Sequence, residues 1–225
     1  MLSESRFNDA TGLLLRGGAM LGADASGVSG QPGDKALSLD KSTSPGAFAV
    51  PGGTAAPAEG YTELTVTAWY KPRADLADAD TLWNAFGSQM LWDGKLSEWM
   101  LRVGSKSPSN PNAKAWYASG KTPPPITAGQ WTFIAVTWKQ TENRADYYMG
   151  SKETPAAFTK KVQRNDPLEP AKEGKARSIG NDPSKPERAF SGEIDNVRFF
   201  SKALDAATIE KIRAADAKNE AVTLP

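Results

Sequence analysis

Aromatic, basic and acidic side chains between positions 92 and 117 are the residues of this sequence best suited to binding a ligand. Trp92 lies in SQMLWDGK between turn residues, and Trp116 adjoins Tyr117 beside a loop at positions 108–112. Glu98 and Arg102 fall on one face of a predicted strand, where they can offer hydrogen bonds or a salt bridge to an acidic sugar beside the rings. We predict that these five residues bind a ligand; a solvated face with an ordinary ion pair is the alternative interpretation.

The composition restricts the chemistry that the chain can perform. It contains no cysteine and no histidine, which excludes thiolate nucleophiles, zinc-thiolate sites, Ser-His-Asp triads and imidazole metal ligands. Its 27 Lys and Arg against 26 Asp and Glu give a net charge of +1, and no apolar run approaches the ~20 residues of a membrane span. We therefore expect neither a nucleic-acid partner nor membrane insertion. Positions 1–10 lack a signal-peptide pattern, which favours a mature or trimmed chain.

Short alternating segments separated by turns are expected to position these residues. The 225 residues include 20 Gly and 16 Pro, and a chain of this length suits one two-sheet domain over positions 1–225. In ELTVTAWYKP, at Glu63–Pro72, Leu64 to Tyr70 alternate between two faces of a strand. A helical pattern occurs only near the end, at about 205–218, where Asp205 can cap the first turn. The pattern predicts an all-β, two-sheet antiparallel sandwich with one short C-terminal α-helix.

Three ordered motifs point to one family. LTVTAWYKP, then GQWTFIAVTW followed by YYMG, then FSGEIDNVRFFSKALDAATI resemble motifs of laminin-G-like jelly-roll domains in the concanavalin A-like lectin/glucanase superfamily. The matches run from about position 36 to 212. The resemblance implies two antiparallel sheets packed face to face, in secreted or surface proteins often joined to glycan-active enzymes. It also favours packing between the sheets for three tryptophans of the motifs and the adjacent strand: Trp69, Trp99 and Trp131.

The GEID segment raises a catalytic alternative. Glucanases that share this fold place three carboxylates on one strand, in the pattern Glu-x-Asp-x-x-Glu. Here Glu193 and Asp195 stand in the first two places, while Val197 and Arg198 stand where the acid should be. A glycosidase of this type needs the missing carboxyl group. The motif thus supports the fold and argues against the enzyme.

The same resemblance implies a structural calcium ion. In that family the aspartate equivalent to Asp195 often helps to hold calcium, together with carbonyls and an acidic residue of the N-terminal loops. The loop at Gly22–Asp34 offers Asp24 and Asp34, and calcium prefers such hard oxygen ligands. A turn cap, or a pair with Arg198, is the alternative role for Asp195.

Three hypotheses about function follow. The first is a non-catalytic carbohydrate-binding or adhesion module that recognises an extracellular glycan, located outside the cell, on its surface or in a bacterial periplasm. The second is a divergent glycoside hydrolase or polysaccharide lyase, and the third is a structural domain packed against neighbouring domains of a longer polypeptide. Two basic clusters interleaved with acidic residues predict solvated loops, with polyanion binding as the alternative: Lys160, Lys161 and Arg164, and Lys172, Lys175 and Arg177.

Overall fold

The computed structural model describes residues 1–8, 14–53, 57–74, 76–103, 115–120, 126–165, 169–172 and 177–222. Within these ranges the chain forms short and medium strands, one α-helix and a 3-10 turn at Pro186–Arg188. The strands are β1 (Ser3–Ser5), β2 (Leu14–Arg16), β3 (Met20–Leu21), β4 (Leu37–Leu39), β5 (Phe48–Val50), β6 (Glu63–Pro72), β7 (Thr81–Ala85), β8 (Ser88–Asp93), β9 (Glu98–Val103), β10 (Ala115–Ala118), β11 (Thr132–Lys139), β12 (Arg144–Gly150), β13 (Ala157–Gln163), β14 (Ser178–Ile179) and β15 (Gly192–Phe200). The helix, α1, spans Ala206–Asp216.

The strands form two antiparallel sheets. The sheet that we call the back sheet has the order β13-β12-β11-β6-β15-β4-β3, and β1 pairs with β15 beside it. The front sheet has the order β10-β9-β8-β7-β14-β5-β2. This arrangement confirms the all-β sandwich with one short helix.

Strand β6 shows how alternation divides the back sheet into two faces. Leu64, Val66 and Tyr70 belong to the large apolar core that also receives the inner side chains of the front sheet. Trp69 points the other way, into a second cluster formed with α1. The prediction that Trp69 packs between the sheets was therefore wrong, because its position in the alternation places it under the helix. The same prediction was wrong for Trp131, which is only partly buried and packs against this second cluster, whereas Trp99 lies in the main core as predicted.

Helix α1 closes the outer face of the back sheet. The side-chain carboxylate of Asp205 accepts a hydrogen bond from the Thr208 amide at 2.7 Å, which confirms the predicted cap. Ile209 and Ile212 are fully buried against outer-face residues such as Phe133. This apolar contact explains why the helix stays on the sheet, because an isolated helix of this length is marginal in water. Within the described ranges, no helix has the length and apolar character to cross a membrane.

Buried hydrogen bonds join the two sheets through the core. The hydroxyl of Tyr147 on the back sheet accepts from the Leu101 amide at 2.9 Å and donates to the Tyr117 carbonyl at 2.6 Å, both on the front sheet. The indole of Trp99 donates to the Tyr70 hydroxyl at 3.0 Å. These bonds fix the lateral position of the front sheet, because each polar group is buried and needs its partner.

Candidate functional site on the front sheet

A row of polar side chains crosses the outer face of the front sheet. Trp116, Arg102, Gln89, Asn84 and Ser178 are successive register partners on five neighbouring strands. The residues beside them in the chain, such as Leu101 and Met90, belong to the core, so this polar row projects to the opposite face. Within this row Gln89 and Ser178 are buried, whereas Trp116, Arg102 and Asn84 are partly exposed, so a ligand would meet the row at those three side chains.

Arg102 and Trp116 meet on this face. They are direct cross-strand partners on β9 and β10, and the guanidinium carbon lies 5.7 Å from the centre of the indole ring. A guanidinium over an aromatic face is an attractive cation–π contact. Both side chains are half-buried, and Arg102 has no ion-pair or hydrogen-bond partner in the ranges described above. Its hydrogen-bond donors therefore remain free for a ligand.

A turn at positions 181–184 brings a carboxylate to the row. The side-chain amide of Gln89 donates to one oxygen of Asp182 at 3.1 Å, and the Ser184 hydroxyl donates to the other at 2.6 Å. The turn is tied to the sheet by Ser178, whose hydroxyl donates to the Asn181 carbonyl at 2.6 Å. Gln89 is 1% exposed, and its carbonyl oxygen has no partner among the residues described.

Asp182, Arg102 and Arg188, the last residue of the 3-10 turn, form a charged cluster whose electrostatics keep Asp182 ionised. Burial raises its pKa, but the hydrogen bonds from Ser184 and Gln89 and the charge of Arg102 outweigh burial and lower the pKa below its usual range. Desolvation lowers the pKa of Arg102, the nearby carboxylate of Asp182 opposes that shift, and the guanidinium of Arg188 adds to it. An arginine stays protonated in any case. The cluster therefore holds two cations and one anion.

The remaining residues of the predicted ligand site lie elsewhere. Tyr117 is fully buried in the core, where its hydroxyl accepts a hydrogen bond from the indole of Trp138 at 3.0 Å. It cannot share a ligand surface with Trp116, because consecutive strand residues point to opposite faces. Trp92 also faces the core, with its ring 5.3 Å from that of Trp99, and it lines a cavity of about 290 Å³ at the end of the sandwich. The predicted loop at 108–112 lies outside the described residues.

Glu98 lies on the outer face but away from Arg102. The two residues are four positions apart on β9, which corresponds to roughly 13 Å along an extended strand. Glu98 is 8% exposed and stands opposite Asp93 of β8. Of the five residues predicted to bind a ligand, the structure thus brings two into contact, Arg102 and Trp116.

The carboxylates of GEID lie on the outer face of the back sheet. Glu193 forms an ion pair with Lys71 of β6, and Asp195 is fully buried. A bulge follows Asp195, where Asn196 adopts a positive φ of 48°. This bulge turns Val197 into the core and Arg198 outward, so Arg198 shares a face with Asp195. Neither carboxylate is presented as an acid–base catalyst would be, because one is paired and the other is inaccessible.

Asp34 and Asp195 form a buried acidic pair. They are 1% and 0% exposed, and the amides of Ser29 and Val28 donate to them at 2.8 and 2.9 Å. Burial first, and then the charge of Asp34, raise the pKa of Asp195 well above its usual range. No described lysine or arginine pairs with either carboxylate. Two buried carboxylates without a cation fit a calcium ion in charge and ligand type.

The rest of a calcium shell would have to come from backbone carbonyls and water. Among the described residues, no group of three acidic side chains is close enough to hold a metal. Asp24 is exposed and accepts a hydrogen bond from the Gly33 amide at 2.7 Å, with no contact to the buried pair. The fit therefore rests on Asp34 and Asp195.

The loop prediction for the two basic clusters was wrong for Lys160 and Lys161, which lie within a solvent-exposed edge strand. Lys160 and Lys161 belong to the exposed strand β13, and Arg164 donates to the carbonyl of Trp116 at 3.2 Å. The guanidinium of Arg177 lies 4.0 Å from the centre of the Phe86 ring. Lys175 lies outside the described residues. Arg164 is thus the member of these clusters that approaches the polar row.

Sequence reasoning did not identify Gln89, Asp182 and Arg188. Gln89 lies three residues before Trp92 in the same strand, and alternation places the two side chains on opposite faces. Asp182 and Arg188 occur in GNDPSKPER, a composition typical of a turn. Nothing in that segment indicates that it lies against β8 and β9.

Comparisons with known proteins agree with this geometry. A laminin-G-like family model, described as Concanavalin A-like lectin/glucanases superfamily, matches residues 46–210. The binding domain of botulinum neurotoxin DC, solved in complex with SialylT, has a TM-score of 0.58 at 12% identity, covering 91% of this chain and 46% of that one. A putative carbohydrate binding protein from Bacteroides ovatus has a TM-score of 0.50 at 15% identity, covering 71% of this chain and 42% of that one. No curated protein matches in sequence.

The two structural matches show a shared fold. Their identities of 12% and 15% carry no information about a shared ligand. The aligned regions span less than half the length of either solved chain.

Proposed function

Since the chain belongs to the laminin-G-like family of the concanavalin A-like lectin/glucanase superfamily, we propose that it is a glycan-binding module. The observation that carries this proposal is the contact between Arg102 and Trp116 on the outer face of the front sheet. The partly buried Asn84 side chain belongs to the same row, and the carboxylate of Asp182, which is 5% exposed, is bonded to Gln89 of that row. An aromatic ring beside a few polar side chains is an arrangement typical of sugar-binding sites.

In the proposed complex, the indole of Trp116 packs against the apolar C–H face of a sugar ring. The guanidinium of Arg102 donates hydrogen bonds to ring substituents, since its donors have no partner within the described ranges. Asp182 is only 5% exposed and stays ionised, so its negative charge acts on the ligand from behind Gln89 and Ser184. Gln89 and Ser184 hold this carboxylate in place and so reduce the entropy lost on binding.

Replacing Trp116 by alanine is expected to weaken glycan binding about 30-fold, because truncating a central aromatic anchor typically costs about 2 kcal/mol or more. The measurement is a glycan array followed by titration of the best ligand with both proteins. Trp131→Ala is the matched control, since Trp131 is another partly buried tryptophan but packs near the back sheet. Unchanged affinity in Trp116→Ala would show that the glycan does not bind at the polar row.

An enzyme would give a different result on the same glycans. Incubation with a polysaccharide panel, followed by assays for new reducing ends and unsaturated products, tests for a hydrolase or a lyase. We expect binding without turnover, because Glu193 is paired with Lys71 and Asp195 is buried. Turnover would replace the binding hypothesis by the catalytic one. A domain that neither binds nor converts any glycan would be structural.

We also propose that Asp34 and Asp195 hold a structural calcium ion. The support is the burial of both carboxylates without a described cationic side chain. The ion would offset their mutual repulsion and fix the loop of Val28 and Ser29, whose amides already bind the pair. Its site is on the back-sheet side and so is separate from the polar row.

We also propose that the protein works outside the cytoplasm and is attached to neighbouring domains. Glycans of the kind that such modules bind are displayed outside cells, and the family membership supports this setting. Fractionation of the source cells, together with the sequence of the complete gene product, would test both statements.

A further inference from the structure

Arg102 of the polar row and Arg188 of the turn beside it indicate which class of glycan is bound, an inference that rests on the proposed function. Arg102 projects from β9, and Arg188 ends the 3-10 turn that follows Asp182. Both side chains are half-buried, and the guanidinium of Arg188, like that of Arg102, has no ion pair or hydrogen bond within the described part of the chain. The segment that carries Asp182 and Arg188 is held to the sheet by Gln89, the cross-strand partner of Arg102, and the guanidinium of Arg188 opposes the charge of Arg102 there.

The carboxylate of Asp182 does not remove this imbalance. Its two oxygens are already engaged by Gln89 and Ser184. Two guanidinium groups against one carboxylate leave a net charge of +1 at the cluster. The site is therefore positive although the whole chain is nearly neutral.

We propose that the polar row selects sugars that carry a carboxylate, with Arg102 and Arg188 binding the carboxylate and Trp116 binding the ring. The planar fork of a guanidinium matches a carboxylate through two parallel hydrogen bonds. The indole already lies against Arg102, so a ring stacked there has its substituents within reach of that guanidinium. Arg188 belongs to the segment that the bond from Gln89 to Asp182 holds against the same sheet, beside the cross-strand partner of Arg102. A neutral sugar would gain only the stacking and leave the two cations uncompensated.

Asp182 sets the orientation of the bound sugar. Its negative charge repels the carboxylate of the ligand, although the side chain is only 5% exposed, so the acidic substituent faces the arginines and the hydroxyl groups face Asp182. Uronic acids carry both groups on one ring and fit this arrangement. A sulfate ester presents three oxygens in a tetrahedral array and matches the planar fork less well.

The test uses oligogalacturonate and oligoglucuronate, each beside its carboxyl-reduced counterpart and a sulfated counterpart of the same length. We expect at least tenfold tighter binding of a carboxylated ligand than of its reduced form. Arg188→Gln and Arg102→Gln should each abolish that preference, and raising the salt concentration should weaken binding of the carboxylated ligand but not of its neutral, reduced form. Arg16→Gln is the matched control, because Arg16 is exposed on β2 at the opposite edge of the same sheet.

The outcomes separate the two proposals. Equal affinity for a uronate and its reduced form, together with weaker binding of both ligands by Trp116→Ala, would overturn the charge selectivity. The proposed glycan-binding function would still stand in that case. Preference for the sulfated ligand also overturns the carboxylate assignment. Absence of binding to every ligand, including the glycan array, overturns both. Arg188→Gln should leave the melting temperature at the value of the control, since no described hydrogen bond or ion pair is lost. Arg102→Gln loses the contact with Trp116 and the attraction of Asp182, so circular dichroism must show that this variant is folded at the assay temperature.

Discussion

Replacing Asp216 by alanine is expected to lower the free energy of unfolding by about 3–5 kcal/mol. The side chains of Asp216 and Arg198 form a buried, two-bond ion pair, at 2.7 and 2.8 Å. Asp216 also accepts a hydrogen bond from the indole of Trp69 at 3.1 Å. Removal of the carboxylate leaves a guanidinium that is 1% exposed without its main partner. Chemical denaturation followed by tryptophan fluorescence measures the loss.

The size of this effect follows from burial and not from the number of ion pairs. Arg198 also binds Glu4 at 2.8 Å, but Glu4 is partly exposed and is shared with Arg6. Burial opposes the charge of Arg198, yet the carboxylates of Asp216 and Glu4 raise its pKa above the usual range. Glu4→Gln is thus the control and should cost no more than about 1 kcal/mol.

A double substitution separates the ion pair from the packing around it. Asp216→Leu combined with Arg198→Met removes both charges together, and we expect it to be far more stable than Asp216→Ala alone. A loss below about 1 kcal/mol in Asp216→Ala would show that the apolar contacts of Ile209 and Ile212 hold α1 without the ion pair. Retention of helical circular dichroism with a lower unfolding free energy would agree with our expectation.

Calcium is expected to raise the free energy of unfolding, by about 2.7 kcal/mol when its free concentration is 100 times the dissociation constant. Only the folded state brings Asp34 and Asp195 together, because they are more than 160 residues apart in the sequence. A ligand that binds the folded state alone shifts the unfolding equilibrium in its favour. The measurement is thermal unfolding of chelator-treated protein across a calcium titration, with elemental analysis of the purified protein.

Matched aspartate variants identify the site. Asp195→Asn should abolish the response to calcium, because the amide cannot supply a charged oxygen ligand. Asp24→Asn should keep the response, since Asp24 is exposed and only binds the Gly33 amide. Equal responses in the two variants would place calcium elsewhere, and no response in the parent protein would contradict the site. Magnesium is the control ion, because it requires a tighter octahedral shell than one carboxylate of a loop and one of strand β15 provide.

The candidate site was predictable where it depends on alternation within one strand. Glu98 and Arg102 were placed on one face of β9, and the structure has them there. The same rule excludes Tyr117 once Trp116 is on the outer face, because adjacent strand residues point in opposite directions. Trp92 required more, since its burial depends on the register that sets it opposite Trp99. Register is fixed by contacts between strands and is not encoded locally.

Arg188 could not have been assigned from the sequence. It follows Arg102 by more than 80 residues and lies in a segment whose composition indicates only a turn. The hydrogen bonds from Gln89 to Asp182 and from Ser178 to Asn181 bring that segment to the sheet. Their partners belong to separate strands and loops, so no motif of fixed spacing connects them.

The sequence by itself determined the sandwich, its terminal helix and the exclusion of histidine and cysteine chemistry. Strand alternation, turn composition and helix capping are local properties, and residue types are read without any fold. Only the tertiary structure decided which of the aromatic and charged residues lie on the outer face of the front sheet. Docking of α1 covers the outer face of the back sheet, and a bulge after Asp195 turns Arg198 toward that helix. Arg102 and Trp116 meet on the other sheet, away from α1, because strand pairing places them side by side on its outer face.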